Sequence, residues 1–194
     1  MTRLGLRIIV SLTALWLCAE VSRVDAQIAN PVSGEWSKPV QGVRGRLLLI
    51  KGAPVNGTVQ IHVYLELQNV SDVGSSIHLA PGQSFSFDLT DANGRSKPEA
   101  GEEVDVMTPD DPFGLVLPHE STLRFLISVT GAGIPKGKAA QISVPHESRF
   151  KSWVIDRGSA SPYYLNGIFK ATAQWQPHQT WSLILELPKV RVPM

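Results

Sequence analysis

The segment Val59–Gln68 alternates apolar and polar side chains without a break, with an apolar residue at every odd position. Successive side chains of a β-strand point to opposite faces, so this period of two separates a buried face from a solvent-facing one. The pattern predicts a half-buried antiparallel strand whose outer face carries His62, Tyr64 and Glu66.

The same alternation recurs several times along the chain, and turn residues such as Asn56-Gly57 and Asn93-Gly94 separate the repeats. No segment shows a convincing helical stripe of apolar residues. The sequence therefore predicts an all-β fold, an immunoglobulin-like antiparallel β-sandwich of about seven to nine strands. The alternating segments are Phe85–Leu89, Leu123–Val129, Phe169–Trp175 and Trp181–Leu187, with shorter candidates at Arg46–Lys51 and Gln141–Val144.

The N-terminus has the features of a secretory signal peptide. Two arginines precede the apolar run 8–19, and Val24-Asp25-Ala26 supplies a small-x-small cleavage site. We expect residues 1–26 to be a cleaved signal peptide and residues 27–194 to form a single domain, with an uncleaved membrane anchor as the alternative. The predicted location is the periplasm, the cell envelope or the exterior, with no integral membrane segment after cleavage.

Charge and cysteine content exclude several classes of function for the predicted mature chain. Three of the 18 basic and two of the 17 acidic residues lie in residues 1–26, which leaves 15 of each. A neutral chain has no overall field to attract nucleic acid or an anionic membrane. The one cysteine, Cys18, falls in the signal peptide, so the mature domain is predicted to fold without disulfides and to lack thiol chemistry.

Two segments depart from the alternation. Residues 95–112 are rich in glycine, proline and acidic side chains, and loops longer than about 12–15 residues are often functional or disordered. Whether this acidic segment binds a partner or is merely flexible is left open. Residues 27–45 are predicted to be an entering arm that lies along the sandwich.

Two histidines would form a metal site only if the two turns that carry them, which are distant in the sequence, lie close together in the fold. His119 and His146 lie in a repeated Pro-His-Glu-Ser tetrapeptide, and two imidazoles with two carboxylates would bind zinc. The simpler interpretation is turn chemistry before a strand. No nucleophile elbow, phosphate-binding glycine loop or His-Glu-x-x-His motif is present in the sequence. We therefore predict no enzyme activity and no cofactor.

Four aromatic residues lie in segments without clear alternation: Trp36, Trp153, Tyr163 and Tyr164. Exposed aromatic rings on a sandwich bind sugars, which makes a carbohydrate-binding module the alternative hypothesis. Packing of these rings in the core or at its rim is the competing explanation.

Two pairs of sequence segments resemble known exported or immunoglobulin-like domains. The opening Trp36–Leu47 with Val63–Ser71 resembles uncharacterised exported bacterial domains. Phe85–Gly94 with Leu117–Phe125 resembles the immunoglobulin-like domain of the intracellular proteinase inhibitor (BsuPI-like) type, in which a strand ends in Asp-x-x-Gly and a Leu-Pro-x-x-Ser/Thr turn opens a later strand. The resemblance covers about residues 36–130 and implies the fold; no inhibitory residue can be matched to this chain.

The leading functional hypothesis is a non-enzymatic exported binding or structural module of the cell envelope. It would present His62, Tyr64 and Glu66 to a protein partner of unknown identity. The alternative is a carbohydrate-binding module that uses Trp36, Trp153, Tyr163 or Tyr164. The third hypothesis is a metal-dependent enzyme that uses His119 and His146.

Overall fold

The computed structural model describes residues 30–79, 84–100, 113–128, 136–146, 149–156, 158–159, 161–176 and 179–194. Within these ranges, the side chains of residues 113 and 172–181 are not described. The predicted signal peptide with Cys18, and residues 101–112 of the acidic segment, lie outside the described residues.

The described residues form eleven β-strands and no helix, which confirms the all-β prediction. In this part of the chain, accordingly, no helix long and apolar enough to cross a membrane is found. There are more strands than the sequence predicted, partly because the two-residue β1 was not foreseen. The strands are β1 Val32–Ser33, β2 Val43–Val55, β3 Thr58–Asn69, β4 Ser75–Leu79, β5 Phe85–Thr90, β6 Phe113–Leu117, β7 Thr122–Leu126, β8 Ala140–His146, β9 Arg149–Ile155, β10 Tyr164–Gln176 and β11 Gln179–Arg191.

The strands form two sheets. The first sheet has the order β1-β2-β3-β8-β9, with β7 also paired to β3. The second sheet has the order β11-β10-β4-β6, with β5 also paired to β10. All pairs are antiparallel except β3–β8, which is parallel. Because β7 pairs with residues 64–68 of β3 and β8 with residues 59–61, these two strands share one edge of β3.

The inner faces of the two sheets pack on each other and form the core. Strand β2 packs against β11 and strand β5 against β8. The close approach is visible at Gly45, where an added Cβ would lie 3.0 Å from Leu187 Cδ2. The odd-numbered apolar residues of β3 from 61 to 67 are buried in this core, which confirms the alternation predicted for that strand.

A tight hairpin fixes the register of β2 and β3. Val55 pairs with Thr58, and Asn56 and Gly57 between them have φ angles of 51° and 76°. Two consecutive positive φ angles are typical of a type I′ turn, whose twist matches that of the strands it joins. The Asn-Gly step therefore sets which side chains of β2 lie opposite those of β3.

Two irregular segments close the sides of the sandwich. The first, residues 34–40, is called the arm: its Gly34 N donates to Leu47 O at 2.8 Å, and its Ser37 N donates to Gly45 O at 2.8 Å. These bonds lie along the edge of β2 that faces away from β3 and that also pairs with β1. The irregular arm is shorter than the predicted 27–45, since Val32–Ser33 form β1 and β2 begins at Val43.

The second segment, residues 95–100, is called the strap. Its Lys97 N donates to Leu89 O of β5 at 2.7 Å, and its Ala100 N donates to Ser152 O of β9 at 2.8 Å. Since β5 belongs to the second sheet and β9 to the first, the strap connects the two sheets at their edges.

Candidate functional site

The outer face of the first sheet carries a cluster of charged residues from three strands. Arg44 and Arg46 of β2 lie opposite Gln68 and Glu66 of β3, and Arg124 of β7 lies opposite Glu66 on the other side. We call these five residues the arginine face. The register of three strands thus places two guanidinium groups on one carboxylate, with the third, that of Arg44, paired with Gln68 beside them.

Glu66 is the centre of this cluster. Its Oε2 accepts a hydrogen bond from Arg46 Nε at 2.5 Å, and its Oε1 accepts from Arg124 Nε at 2.8 Å and lies 2.6 Å from Arg124 Nη2. The Glu66 side chain is 4% exposed, against 27% for Arg46 and 51% for Arg124. The sequence placed Glu66 on the correct face, but its partners bury it, so it is not a solvated side chain.

The ion pairs control the protonation of Glu66. Burial acts to raise the pKa of this carboxyl group, but the hydrogen bonds and positive charges of Arg46 and Arg124 outweigh it. The net result is a pKa below the ordinary value of 4.5. Glu66 is therefore ionised at neutral pH and holds both arginines in place.

Trp36 connects the arm to the arginine face. The Arg46 Cζ atom lies 4.4 Å from the centre of a Trp36 ring, and the Arg44 Cζ atom lies 4.9 Å from it. Both distances are within the range of a cation–π interaction. Arg44 is held further by its Nε, which donates to Gln68 Oε1 at 2.8 Å. The arm and the sheet therefore fix the position of the arginines from two sides.

An apolar row lies next to the charged cluster on the same face. Tyr64 is paired in register with Leu48 on one side and with the exposed Leu126 on the other. His62 is half-buried on the same strand and lies against Gly52, where an added Cβ would be 2.8 Å from the imidazole Nε2. The outer face of β3 thus brings the predicted residues His62, Tyr64 and Glu66 together in one surface.

The other aromatic candidates do not join Trp36 in a common exposed platform. Trp153 lies in β9, fully buried, and its indole Nε1 donates to Lys97 O at 3.1 Å. Tyr163 packs against the core, with Lys97 Nζ 5.2 Å from its ring centre. Tyr164 begins β10, with Lys189 Nζ 5.1 Å from its ring centre.

The two histidines of the repeated tetrapeptide contact different parts of the fold. His119 lies in the turn before β7, with Nδ1 2.5 Å from Ser71 O and Nε2 3.7 Å from Glu120 Oε2. His146 ends β8, and its Nδ1 accepts a hydrogen bond from Phe87 N at 3.3 Å. Within the ranges that the structure describes, no group of three His, Cys, Asp or Glu side chains is placed to hold a metal ion.

A groove of about 1320 Å³ crosses the outer face of the second sheet. It extends from the arm on one side to the strap on the other, and its floor comes from β5, β10 and β11. The residues that line it include Trp36, Lys38, Ser86, Asp88, Lys97, Glu99, Lys151, Asn166, Ile168, Ile184, Glu186 and Lys189.

Sequence reasoning missed the three arginines and the groove for the same reason. Each strand alone shows only that its polar residues face outward, while the cluster depends on which strands are neighbours and in which register. Arg44 and Arg124 are 80 positions apart in the sequence, and no local signal joins them.

Comparison with known proteins identifies no relative: no protein family, no curated protein and no solved structure matches this chain. The candidate site therefore depends on the geometry of the chain itself.

Proposed function

We propose that this chain is a non-enzymatic binding module of the immunoglobulin-like sandwich type, exported to the cell envelope, that holds a protein partner on the arginine face. The observation that carries the proposal is the convergence of Arg46 and Arg124 on the buried carboxylate of Glu66, with Arg44 alongside. The protein partner is expected to present an acidic surface.

The charge balance of the face supports an acidic partner. The cluster contains three guanidinium groups and one carboxylate, so it has an excess of positive charge. Arginine presents several donors in a planar fork that matches a carboxylate. A face of this kind gives a partner both electrostatic attraction and directional hydrogen bonds.

The rigidity of the face also supports binding. Long side chains lose conformational entropy when an interface orders them, and that loss weakens the complex. Here Arg46 and Arg124 are already fixed by Glu66, and Arg44 by Gln68 and Trp36. Arginine, tryptophan and tyrosine are also the residues that most often dominate the energy of protein interfaces.

The apolar row supplies the second component of an interface. Tyr64 and Leu126 lie next to each other on the outer face, and Leu126 is exposed. Most protein interfaces combine a desolvated apolar centre with charged groups around it. The fold type and the export are supported by the two packed sheets and by the signal-like N-terminus with its apolar run 8–19.

Photo-crosslinking in the native envelope tests the proposal. The full chain carries p-benzoylphenylalanine in place of Leu126, which is 51% exposed in the apolar row next to the arginine face. The matched control carries the same residue in place of Val116, which is 75% exposed on β6 of the second sheet. We expect a protein adduct from position 126 alone, and its yield should fall when Arg44 is replaced by Ala. Equal adducts from both positions, or none from position 126, would contradict the proposal.

A further inference from the structure

The groove on the second sheet has a floor that is partly apolar. Ile168 of β10 is 37% exposed and Ile184 of β11 is 50% exposed. Ile168 pairs with Glu186, and Ile184 pairs with Lys170, so the two isoleucines are diagonal neighbours on the outer face. They form a small apolar strip that polar residues surround.

Asn166 lies next to this strip, in the same strand as Ile168, and lines the groove. Its Oδ1 atom is buried and has no hydrogen-bond partner among the described residues. A buried acceptor without a donor is unfavourable, and each case in a native structure calls for an explanation. Because the χ2 torsion of asparagine is soft, a ligand donor that reaches the amide would remove this deficit.

Hydroxyl and carboxylate groups line the groove beside the amide. Ser86 and Asp88 of β5 lie beside Ile168 and Asn166 in the sheet register, and Glu186 of β11 lies on the other side of Ile168. Ser96 Oγ of the strap donates to Asp88 Oδ2. A molecule rich in hydroxyl groups can donate hydrogen bonds to these carboxylate and amide oxygens while its carbon–hydrogen surface packs on the apolar strip.

The charges of the groove are nearly balanced, in contrast to the arginine face. Four lysine and three acidic side chains line it, and Lys151 Nζ lies 3.3 Å from Glu99 Oε1. Lys97 and Lys189 are placed over tyrosine rings. A balanced, partly neutralised lining favours an uncharged ligand over an acidic or a basic one. The charged residues that line it are Lys38, Lys97, Lys151, Lys189, Asp88, Glu99 and Glu186.

We propose that this groove binds an uncharged carbohydrate chain in an extended conformation. The carbon–hydrogen faces of the sugar rings lie on Ile168 and Ile184, and a sugar hydroxyl or acetamido N–H donates to Asn166 Oδ1. Trp36 lines the arm side of the same groove and offers an aromatic edge to the end of the chain. The groove lies on the outer face of the second sheet and shares Trp36 with the surroundings of the arginine face; the proposed carbohydrate site goes beyond the proposed protein interface.

Titration calorimetry of the full chain with cellotetraose and with chitotetraose tests the proposal. We expect at least one of the two oligosaccharides to bind, and Asn166→Ala and Ile184→Asp each to weaken its binding at least tenfold. The matched control for Ile184→Asp is Val116→Asp, an exposed residue of another strand, which should leave the affinity unchanged.

The stability of Asn166→Ala separates binding from a structural role. Since its Oδ1 has no partner among the described residues, the variant should keep the melting temperature of the wild type while losing the oligosaccharide. The proposal is wrong if neither oligosaccharide binds, or if the Asn166 variant loses stability but keeps its affinity. It is also wrong if binding survives Ile184→Asp, or if the groove proves to hold a protein instead.

Discussion

Replacement of Glu66 by Gln tests whether one carboxylate holds the arginine face together. The amide has nearly the same shape, but it carries no charge and it turns an NH₂ group toward one of the two guanidinium groups. Arg46 and Arg124 therefore lose their common acceptor. The expected result is a loss of stability at neutral pH.

The size of the loss follows from the burial of the partners. A hydrogen bond to a charged group contributes about 1.5–3 kcal/mol, and breaking a fully buried ion pair costs about 3–5 kcal/mol. Arg46 is 27% exposed and Arg124 is 51% exposed, so water replaces part of what each guanidinium loses. We expect the free energy of unfolding to fall by about 2 kcal/mol, which corresponds to about 4–8 °C in melting temperature for a chain of this size.

The pH dependence gives this prediction its sharpest form. The pKa of Glu66 in the folded chain is below its ordinary value of 4.5, so the ionised carboxylate stabilises the fold above about pH 4.5. This contribution is lost as the pH falls through the folded-state pKa. The difference in melting temperature between wild type and Glu66→Gln should therefore be largest near pH 7 and should shrink in acid.

Scanning calorimetry from pH 7 down to the acid limit of folding measures this difference. The matched control is Glu120→Gln, whose side chain is 80% exposed in a turn and which should melt like the wild type throughout. A Glu66 variant that melts like the wild type at pH 7, or a difference that does not change with pH, would refute the reasoning.

Three further predictions concern the core and the metal hypothesis. Gly167→Ala should lower the free energy of unfolding, measured by chemical denaturation, by about 1–3 kcal/mol, because the new Cβ would lie 2.3 Å from Phe87 Cδ1. The control Gly74→Ala should leave the stability unchanged, because the nearest atom to its new Cβ is 4.0 Å away. Trp153→Ala should lower the free energy of unfolding by about 3–5 kcal/mol in the same assay, because the ring is fully buried. Trp36→Ala should lower it clearly less, because that ring is half-buried. Equal losses of stability would contradict the burial of Trp153 in the core. Added zinc should leave the melting temperature unchanged, and a rise that a chelator reverses would restore the metal hypothesis.

Where side chains alternate without a break, as in β3, the alternation was enough to predict the strand and its two faces. In β3, the apolar positions are buried and His62, Tyr64 and Glu66 share the outer face, as a period of two requires. The Asn56-Gly57 turn was equally predictable from the sequence, because few residues other than asparagine and glycine adopt two positive φ angles in succession. These features depend on local chemistry, which a single sequence contains.

Features that depend on strand neighbours were not predictable. Glu66 was expected to be solvated, and it is buried because β2 and β7 bring arginines to both sides of it. Trp153 was assigned to a segment without clear alternation, yet it lies in β9 within the core. In both cases, pairing between distant segments decides the environment.

The most direct test of the proposed protein interface is the affinity of the crosslinked partner for the full chain with and without Arg44. Arg44→Ala removes one guanidinium of the face but leaves both hydrogen-bond partners of Glu66 in place, so the fold should persist. Arg191→Ala removes the same charge from an exposed site at the end of β11. We predict that Arg44→Ala weakens binding at least tenfold, about 1.4 kcal/mol, with a smaller salt dependence, and that Arg191→Ala changes it little. Equal affinities for the two variants would contradict the arginine face as the interface.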